Sequence, residues 1–127
     1  MGDQFNLTGD FRGAIVNLKS TLRNVHQTAG QIPGGDEDTR KQLQELIARL
    51  SSELEKAPAE KKDAVEAVAE TAKALVEQAK TEKPNKTLLQ ISGEGLKQAA
   101  KNIADVLPAV ATIAVQIVAA VAKLTGG

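Results

Sequence analysis

The sequence predicts an all-α protein: an antiparallel bundle of four principal helices, or five, with a short extended N-terminal segment. Ala, Val, Leu and Ile supply nearly all of the apolar side chains, and the 127 residues include only two aromatic residues, both Phe. The apolar residues recur at steps of three and four, which is the period of an amphipathic helix. Short segments with Gly or Pro separate these runs. We therefore expect one helical domain over residues 11–127, after an extended or disordered segment at 1–10.

The first helix is predicted to begin near Phe11 and to run for about six turns. Its apolar residues alternate between steps of four and three and form one seam: Phe11, Ile15, Leu18, Leu22, Val25, Ala29 and Ile32. The sequence IPGG at 32–35 ends this helix, because proline and glycine both interrupt helical backbone.

The second helix is expected to begin near Asp36, because DEDTRKQL places three carboxylates at the positive end of a helix dipole. Its predicted buried face is Leu43, Leu46, Ile47, Leu50 and Leu54. Pro58 suits the first turn of a third helix, which KPN at 83–85 ends. That helix turns Lys and Glu outward and buries Val65, Val68, Ala72, Leu75, Val76 and Ala79.

The next segment, KTLLQISGEG, is less regular because Gly93 and Gly95 disfavour a continuous helix. We expect residues 86–92 to form a helical turn or an extended piece. From Glu94 the helical pattern returns with Leu96, Ala99, Ala100, Ile103 and Leu107. Pro108 removes a backbone donor and is expected to kink this helix or to separate it from a last helix at about 109–124.

The N-terminal sequence DQFNLTGDFRG differs from the rest, since Phe5, Leu7 and Phe11 alternate with polar residues or glycine as in a short strand. A single strand has no partner within the chain. It would lie over the bundle, remain disordered, or pair between molecules. These three residues are therefore candidate interaction residues.

An uncharged run of seventeen residues, VLPAVATIAVQIVAAVA at 106–122, could in principle enter a membrane. As a helix it would extend about 25 Å, the lower limit for crossing a hydrocarbon layer of about 30 Å. Pro108 and Gln116 disfavour lipid, because each leaves a polar group that needs a partner. The polar positions also fall along one side of a helix: Asp105, Thr112, Gln116 and Lys123. The pattern favours a buried bundle helix.

This helix supplies the second set of candidate interaction residues. One side carries Val110, Ile113, Ile117, Val121 and Leu124, and Val106, Val115 and Val118 would face another pair of helices. Two alternatives remain open besides a soluble core. The helix could enter a membrane after a conformational change, or its surface could serve self-association.

The chain shows no residue pattern typical of catalysis or of metal or cofactor binding. It has no cysteine and one histidine, His26, which falls beside Lys19 and Arg23 off the apolar seam. The carboxylates at 36–38 are explained by helix capping. Lys plus Arg and Asp plus Glu both number 16, and no basic stripe indicates nucleic acid. We expect a cytoplasmic protein without a cofactor and without enzymatic activity. The remaining alternative is a small hydrolase or transferase whose catalytic carboxylates are brought together only by the fold.

Two stretches, GDQFNLTGDFRGAIVNLKSTL and KPNKTLLQISGEGLKQAAKNIADVLP, resemble small helical modules that accompany STAND-type NTPases or TIR effectors in bacterial conflict and signalling proteins. The resemblance implies an adaptor or effector-associated role without catalytic residues. The chain has neither a P-loop nor the strand and helix alternation of a TIR domain, so an enzyme would be its partner.

The sequence thus favours a non-enzymatic helical interaction module that self-associates or binds a protein partner. The alternative is a membrane-perturbing, pore-type effector that uses the apolar C-terminal helices.

Overall fold

The computed structural model describes the backbone of residues 2–126 and the side chains of residues 13 and 15–126. The elements in chain order are α1 (Gly2–Ala29), α2 (Glu37–Leu54), a 3₁₀ turn (Ala59–Lys61), α3 (Lys62–Lys80), α4 (Lys86–Lys101) and α5 (Pro108–Leu124). Residues 2–126 contain no strand. The predicted all-α bundle is confirmed, and it has five α-helices within the described residues.

The five helices form a closed ring around one apolar core. Helix α1 packs against α2, α2 against α5, α5 against α4, α4 against α3, and α3 against α1. Helices α1 and α2 are antiparallel, because Lys19 pairs with Glu55 at 3.2 Å while the Gln44 side chain donates to the His26 carbonyl at 3.0 Å. The last helix in the chain therefore lies between the second and the fourth.

Residues 2–10, for which the sequence predicted an extended or disordered segment, belong to the backbone of α1. This helix has 28 residues, compared with 16 to 19 for the other four. Extending an existing helix adds a hydrogen bond for each residue that it fixes, whereas a lone strand gains none. Leu7 lies four residues before Phe11, so the spacing of the α1 seam also continues into this segment.

Capping residues mark where α2 and α4 begin. The Asp36 carboxylate accepts a hydrogen bond from the Thr39 backbone N–H at 2.6 Å, and the Asn85 side chain accepts one from the Leu88 N–H at 3.0 Å. The backbone hydrogen bond from Thr39 is the largest cause that lowers the pKa of Asp36. The three carboxylates at 36–38 are thus the cap and first turn of α2, as predicted.

Helix α4 is continuous through Gly93 and Gly95, contrary to the predicted break. Gly93 is buried, and a Cβ there would lie 3.3 Å from Val118 of α5; a Cβ at Gly95 would lie 3.5 Å from the Thr71 methyl group of α3. The glycines let α4 approach both neighbours closely, and this packing outweighs their low helix propensity. The chain instead leaves the helix after Lys101, and Pro108 begins α5 at its first position.

The loop IPGG at 32–35 packs against the C-terminal end of α5. Gly35 has a φ of +73°, and a Cβ there would lie 2.8 Å from the Leu124 Cα atom. Arg40 donates hydrogen bonds to the carbonyls of Gly34 at 2.9 Å and Gly35 at 3.2 Å. The turn between α1 and α2 therefore helps to hold the C-terminal end of the bundle.

The seams predicted for α1, α2 and α3 form the core wherever their side chains are described. Ile15 is half-buried against the core, and the other seam residues after Phe11 are buried. The buried set from α1 to α3 includes Leu18, Leu22, Val25, Ala29, Ile32, Leu43, Leu46, Ile47, Leu50, Leu54, Val65, Val68, Ala72, Leu75, Val76 and Ala79. Their burial confirms the helical periods from which the bundle was predicted.

Candidate interaction face

The candidate residues of the C-terminal helix lie in the core. Val110, Ile113, Ile117, Val121 and Leu124 are all buried. They hold α5 in the ring and could contact a partner only if α5 left it. The side chains of Phe5, Leu7 and Phe11 lie outside the described residues.

The second side proposed for α5 is not a buried surface. Val106 and Val115 are exposed, and only Val118 packs against the core, next to Gly93 of α4. The polar seam Asp105, Thr112, Gln116 and Lys123 is exposed as predicted. Helix α5 is therefore buried along one broad stripe and is not enclosed on all sides.

Helix α3 carries its charges on the side next to α1 and leaves the side next to α4 uncharged. Glu66, Glu70, Lys73 and Glu77 line the two clefts between α3 and α1. The residues on the other outward side recur at steps of four, three and four: Ala67, Thr71, Ala74 and Gln78. Ala67 and Ala74 are exposed, and the other two are half-buried.

Helix α4 shows the same division in mirror image. Lys86 lines the cleft towards α5, and by helical spacing Lys97 and Lys101 follow on that side. The side next to α3 carries only uncharged residues at steps of three and four: Leu88, Ile91, Gly95, Gln98 and Asn102, with Ser92 beside them. Leu88 is 47% exposed and Ile91 62% exposed, although both are large aliphatic residues.

The two uncharged sides meet and form one surface, the α3/α4 face. The Thr71 hydroxyl donates to the Ala67 carbonyl of its own helix at 2.7 Å, and its methyl group lies towards Gly95. The Gln98 and Asn102 side chains bond to each other at 3.2 Å. The face comprises Ala67, Thr71, Ala74, Gln78, Leu88, Ile91, Ser92, Gly95, Gln98 and Asn102. It is an uncharged surface with two exposed aliphatic side chains on the α4 side.

Charged rows border this face on both sides. The α3 row is Glu66, Glu70, Lys73 and Glu77, and the α4 row is Lys86, Glu94, Lys97 and Lys101. Within the rows the close pairs are local: Lys62 with Glu66 at 3.9 Å and Lys97 with Glu94 at 3.7 Å. No ion pair among the described residues joins α3 to α4.

The described residues show no other concentration of reactive groups. Within them, no three His, Cys, Asp or Glu side chains are grouped so that they could hold a metal ion. His26 is half-buried at an open cleft between α1 and α2. Glu66 and Glu70 share an open cleft with Asn17 and Thr21, and both glutamates are exposed.

Among the helices that the structure describes, none combines the length and the hydropathy that a membrane span requires. The chain matches no protein-family model, no curated protein and no solved structure.

The sequence contains a signal for the α3/α4 face that composition alone hides. The Lys and Glu residues of α3 suggest an evenly solvated helix, yet they occupy only one of its two outward sides. A helical projection of the uncharged positions would have indicated the uncharged side of each helix. Which helix lies next to α3 follows only from the fold.

Proposed function

We propose that this protein is a non-enzymatic helical interaction module and that the α3/α4 face binds its protein partner. The observation that supports the proposal is the exposure of Leu88 and Ile91 on an uncharged surface bordered by charged rows. Depletion of charge at the centre with a polar rim is typical of protein interfaces. Exposed apolar patches of this kind mark binding surfaces more often than single exposed side chains do.

The face suits recognition by packing of side chains. Small residues on α3 leave room for a partner's side chains, and the two aliphatic side chains on α4 provide anchors. On α5 the large exposed aliphatic residue is Val115, whereas Leu88 and Ile91 lie close together on α4 beside the small residues of α3. The resemblance to modules of bacterial conflict and signalling systems supports an adaptor role in the cytoplasm beside a partner enzyme.

Substitution of Ile91 by Glu tests the proposal. A carboxylate at the centre of an apolar interface loses solvation without gaining a partner, so we expect association to weaken at least about tenfold. The molar mass of the chain is measured by light scattering over a range of concentrations. The proteins that the immobilised chain retains from bacterial lysate are identified by mass spectrometry.

Val16→Glu is the matched control. Val16 is 63% exposed, as Ile91 is 62% exposed, but it lies on α1 and outside the α3/α4 face. We expect Val16→Glu to behave as the wild-type chain does. If Ile91→Glu has the same mass and retains the same proteins as the wild-type chain, the face is not a binding surface and the proposal fails.

The membrane-perturbing alternative requires α5 to leave the ring. Its five large buried side chains are Val110, Ile113, Ile117, Val121 and Leu124. Exposing them costs about 1.5 to 3 kcal/mol each, or roughly 8 to 15 kcal/mol together. This is comparable with the whole stability of an ordinary domain, about 5 to 15 kcal/mol. Release of α5 would therefore need a large compensating interaction with lipid, and we favour the interaction module.

A further inference from the structure

We infer that the α3/α4 face pairs with the same face of a second copy of this chain, in a two-fold dimer whose axis runs parallel to the helices. The inference rests on the proposed function, because it names the partner of the same face. The charges along the two rows that border the face occur in an order that favours this pairing.

The α3 row has a definite charge order. Read from its N-terminal end, Glu66, Glu70, Lys73 and Glu77 give negative, negative, positive, negative, at steps of four, three and four. All four side chains are exposed. Glu70 and Glu77 have no ion pair among the described residues.

The α4 row has the opposite order when it is read in the opposite direction. From Lys101 back through Lys97 and Glu94 to Lys86 the charges are positive, positive, negative, positive. The first two steps are again four and three. The third step is longer, so Lys86 lies about one helical turn beyond the position opposite Glu77. The two rows therefore complement each other in antiparallel alignment.

Within one chain this complementarity is not used. Helices α3 and α4 are neighbours, but each row lies on the side away from the other helix: the α3 row borders the clefts to α1, and Lys86 lines the cleft to α5. A surface that approaches the α3/α4 face from outside can contact both rows. A second copy presents the same two rows, whose charge orders are complementary, at the same distance from each other.

The two-fold axis parallel to the helices brings each row onto its complement. It places α3 of one copy over α4 of the other and keeps every residue at its level along the axis. Helices α3 and α4 are antiparallel, because Thr71 lies by Gly95 while Leu75, further along α3, lines a cleft with Lys86 at the start of α4. The approach of Gly95 to Thr71 fixes the relative level of the two helices. At that level, within about one residue or 1.5 Å, the facing pairs are Glu66 with Lys101, Glu70 with Lys97, and Lys73 with Glu94 of the second copy.

A two-fold axis perpendicular to the helices is disfavoured. It would place each row over the same row of the other copy. Three glutamates and one lysine on α3 would then face the same set, and three lysines and one glutamate on α4 would do likewise, so both pairs of rows repel on balance. The charge order thus selects one of the two face-to-face arrangements.

The size of the face predicts a weak, reversible dimer. Two helices about 25 Å long and about 10 Å apart present an area of roughly 500 Å² per copy. The total of about 1,000 Å² is below the standard protein interface of about 1,600 Å². Association in the micromolar range, weakened by salt because the rim pairs are exposed, is the expected behaviour.

Charge reversal on one row tests the arrangement. One variant carries Glu66→Lys with Glu70→Lys, and the other carries Lys97→Glu with Lys101→Glu. In either variant alone, like charges face each other in the dimer, so we expect self-association at least about tenfold weaker than in the wild-type chain. Mixed in equal amounts, the two variants present opposite charges on both rims and should form a heterodimer. Sedimentation velocity with one variant fluorescently labelled measures both results.

Glu45→Lys with Glu53→Lys on α2 controls for net charge, since α2 lies across the ring from the face. This variant should associate as the wild-type chain does, and circular dichroism checks that all variants fold. The dimer is ruled out if the wild-type chain stays monomeric up to about millimolar concentration. It is also ruled out if either charge-reversed variant self-associates as strongly as the wild-type chain, or if the two variants form no heterodimer when mixed. Retention of another protein that depends on Ile91 would in those cases leave the proposed function standing.

Discussion

Replacement of Ile117 by Ala tests whether α5 belongs permanently to the core, which separates the interaction module from the membrane-perturbing alternative. Ile117 is fully buried at the middle of the inward stripe of α5, and the ring places this helix between α2 and α4. The substitution removes about three carbon groups, worth roughly 0.8 kcal/mol each, and leaves a cavity that the surrounding helices fill only in part. We expect a loss of about 3 kcal/mol in the free energy of unfolding.

Urea denaturation followed by circular dichroism measures this loss. With a slope of about 2 kcal/mol per molar urea, a loss of about 3 kcal/mol lowers the midpoint by about 1.5 M. The control is Val115→Ala on the same helix. Val115 is 53% exposed, so its truncation should change stability by no more than about 0.5 kcal/mol.

A midpoint for Ile117→Ala as close to wild type as that of Val115→Ala would refute the reasoning. It would mean that α5 is already detached, or detaches freely, before the other helices unfold. In that case the cost assigned to its release would be too high, and the membrane-perturbing alternative would gain support.

Two further predictions concern the turn between α1 and α2. Gly35→Ala should destabilise the bundle by about 1 to 3 kcal/mol in urea denaturation, because Gly35 has a φ of +73° and a Cβ would collide with Leu124. The control is Gly126→Ala, which should cost less, because Gly126 has a φ of +75° but no neighbour within 4 Å of a Cβ. Asp36→Ala should lower the melting temperature at pH 7. The hydrogen bond from Thr39 lowers the pKa of Asp36, so its stabilisation is complete above the ordinary carboxyl pKa of 3.8 and is lost as pH falls through the lowered value. In thermal melts at acid pH, the difference in melting temperature between the wild-type chain and Asp36→Ala should therefore shrink. A melting difference that grew in acid would contradict this assignment.

The sequence was sufficient to predict helices wherever an apolar seam continues for several turns. Leu43, Leu46, Ile47, Leu50 and Leu54 recur with the helical period, and all are buried in α2. Such seams depend on local spacing alone. The charge-capped start of α2 at Asp36 is equally local and was predicted for the same reason.

The two differences from the predicted elements arise where a neighbour or an adjoining helix decides the outcome. Gly93 and Gly95 are poor helix formers by themselves, but in the bundle they allow α4 to pack closely against α5 and α3. The alternation of Phe5 and Leu7 suggested a strand, whereas the backbone continues α1. Neither outcome could be derived from the residue types of these short segments.

The candidate site was predicted less well than the core. Ile113 and Ile117 were predicted as interaction residues because they are apolar, but they lie on the face of α5 that the bundle itself buries. The α3/α4 face is instead defined by the absence of charge on two helices that adjoin. Sequence spacing gives the uncharged side of each helix, and only the ring order shows that the two sides meet.

The position of α5 between α2 and α4 also has a consequence for biosynthesis. The ribosome completes α1 to α4 before the helix that closes the ring exists, and at that stage the sides of α2 and α4 that pack against α5 have no cover. Contacts between segments so distant in the chain form late and slowly. Until α5 has left the exit tunnel, the nascent chain therefore cannot cover the apolar surface that α5 covers in the finished bundle.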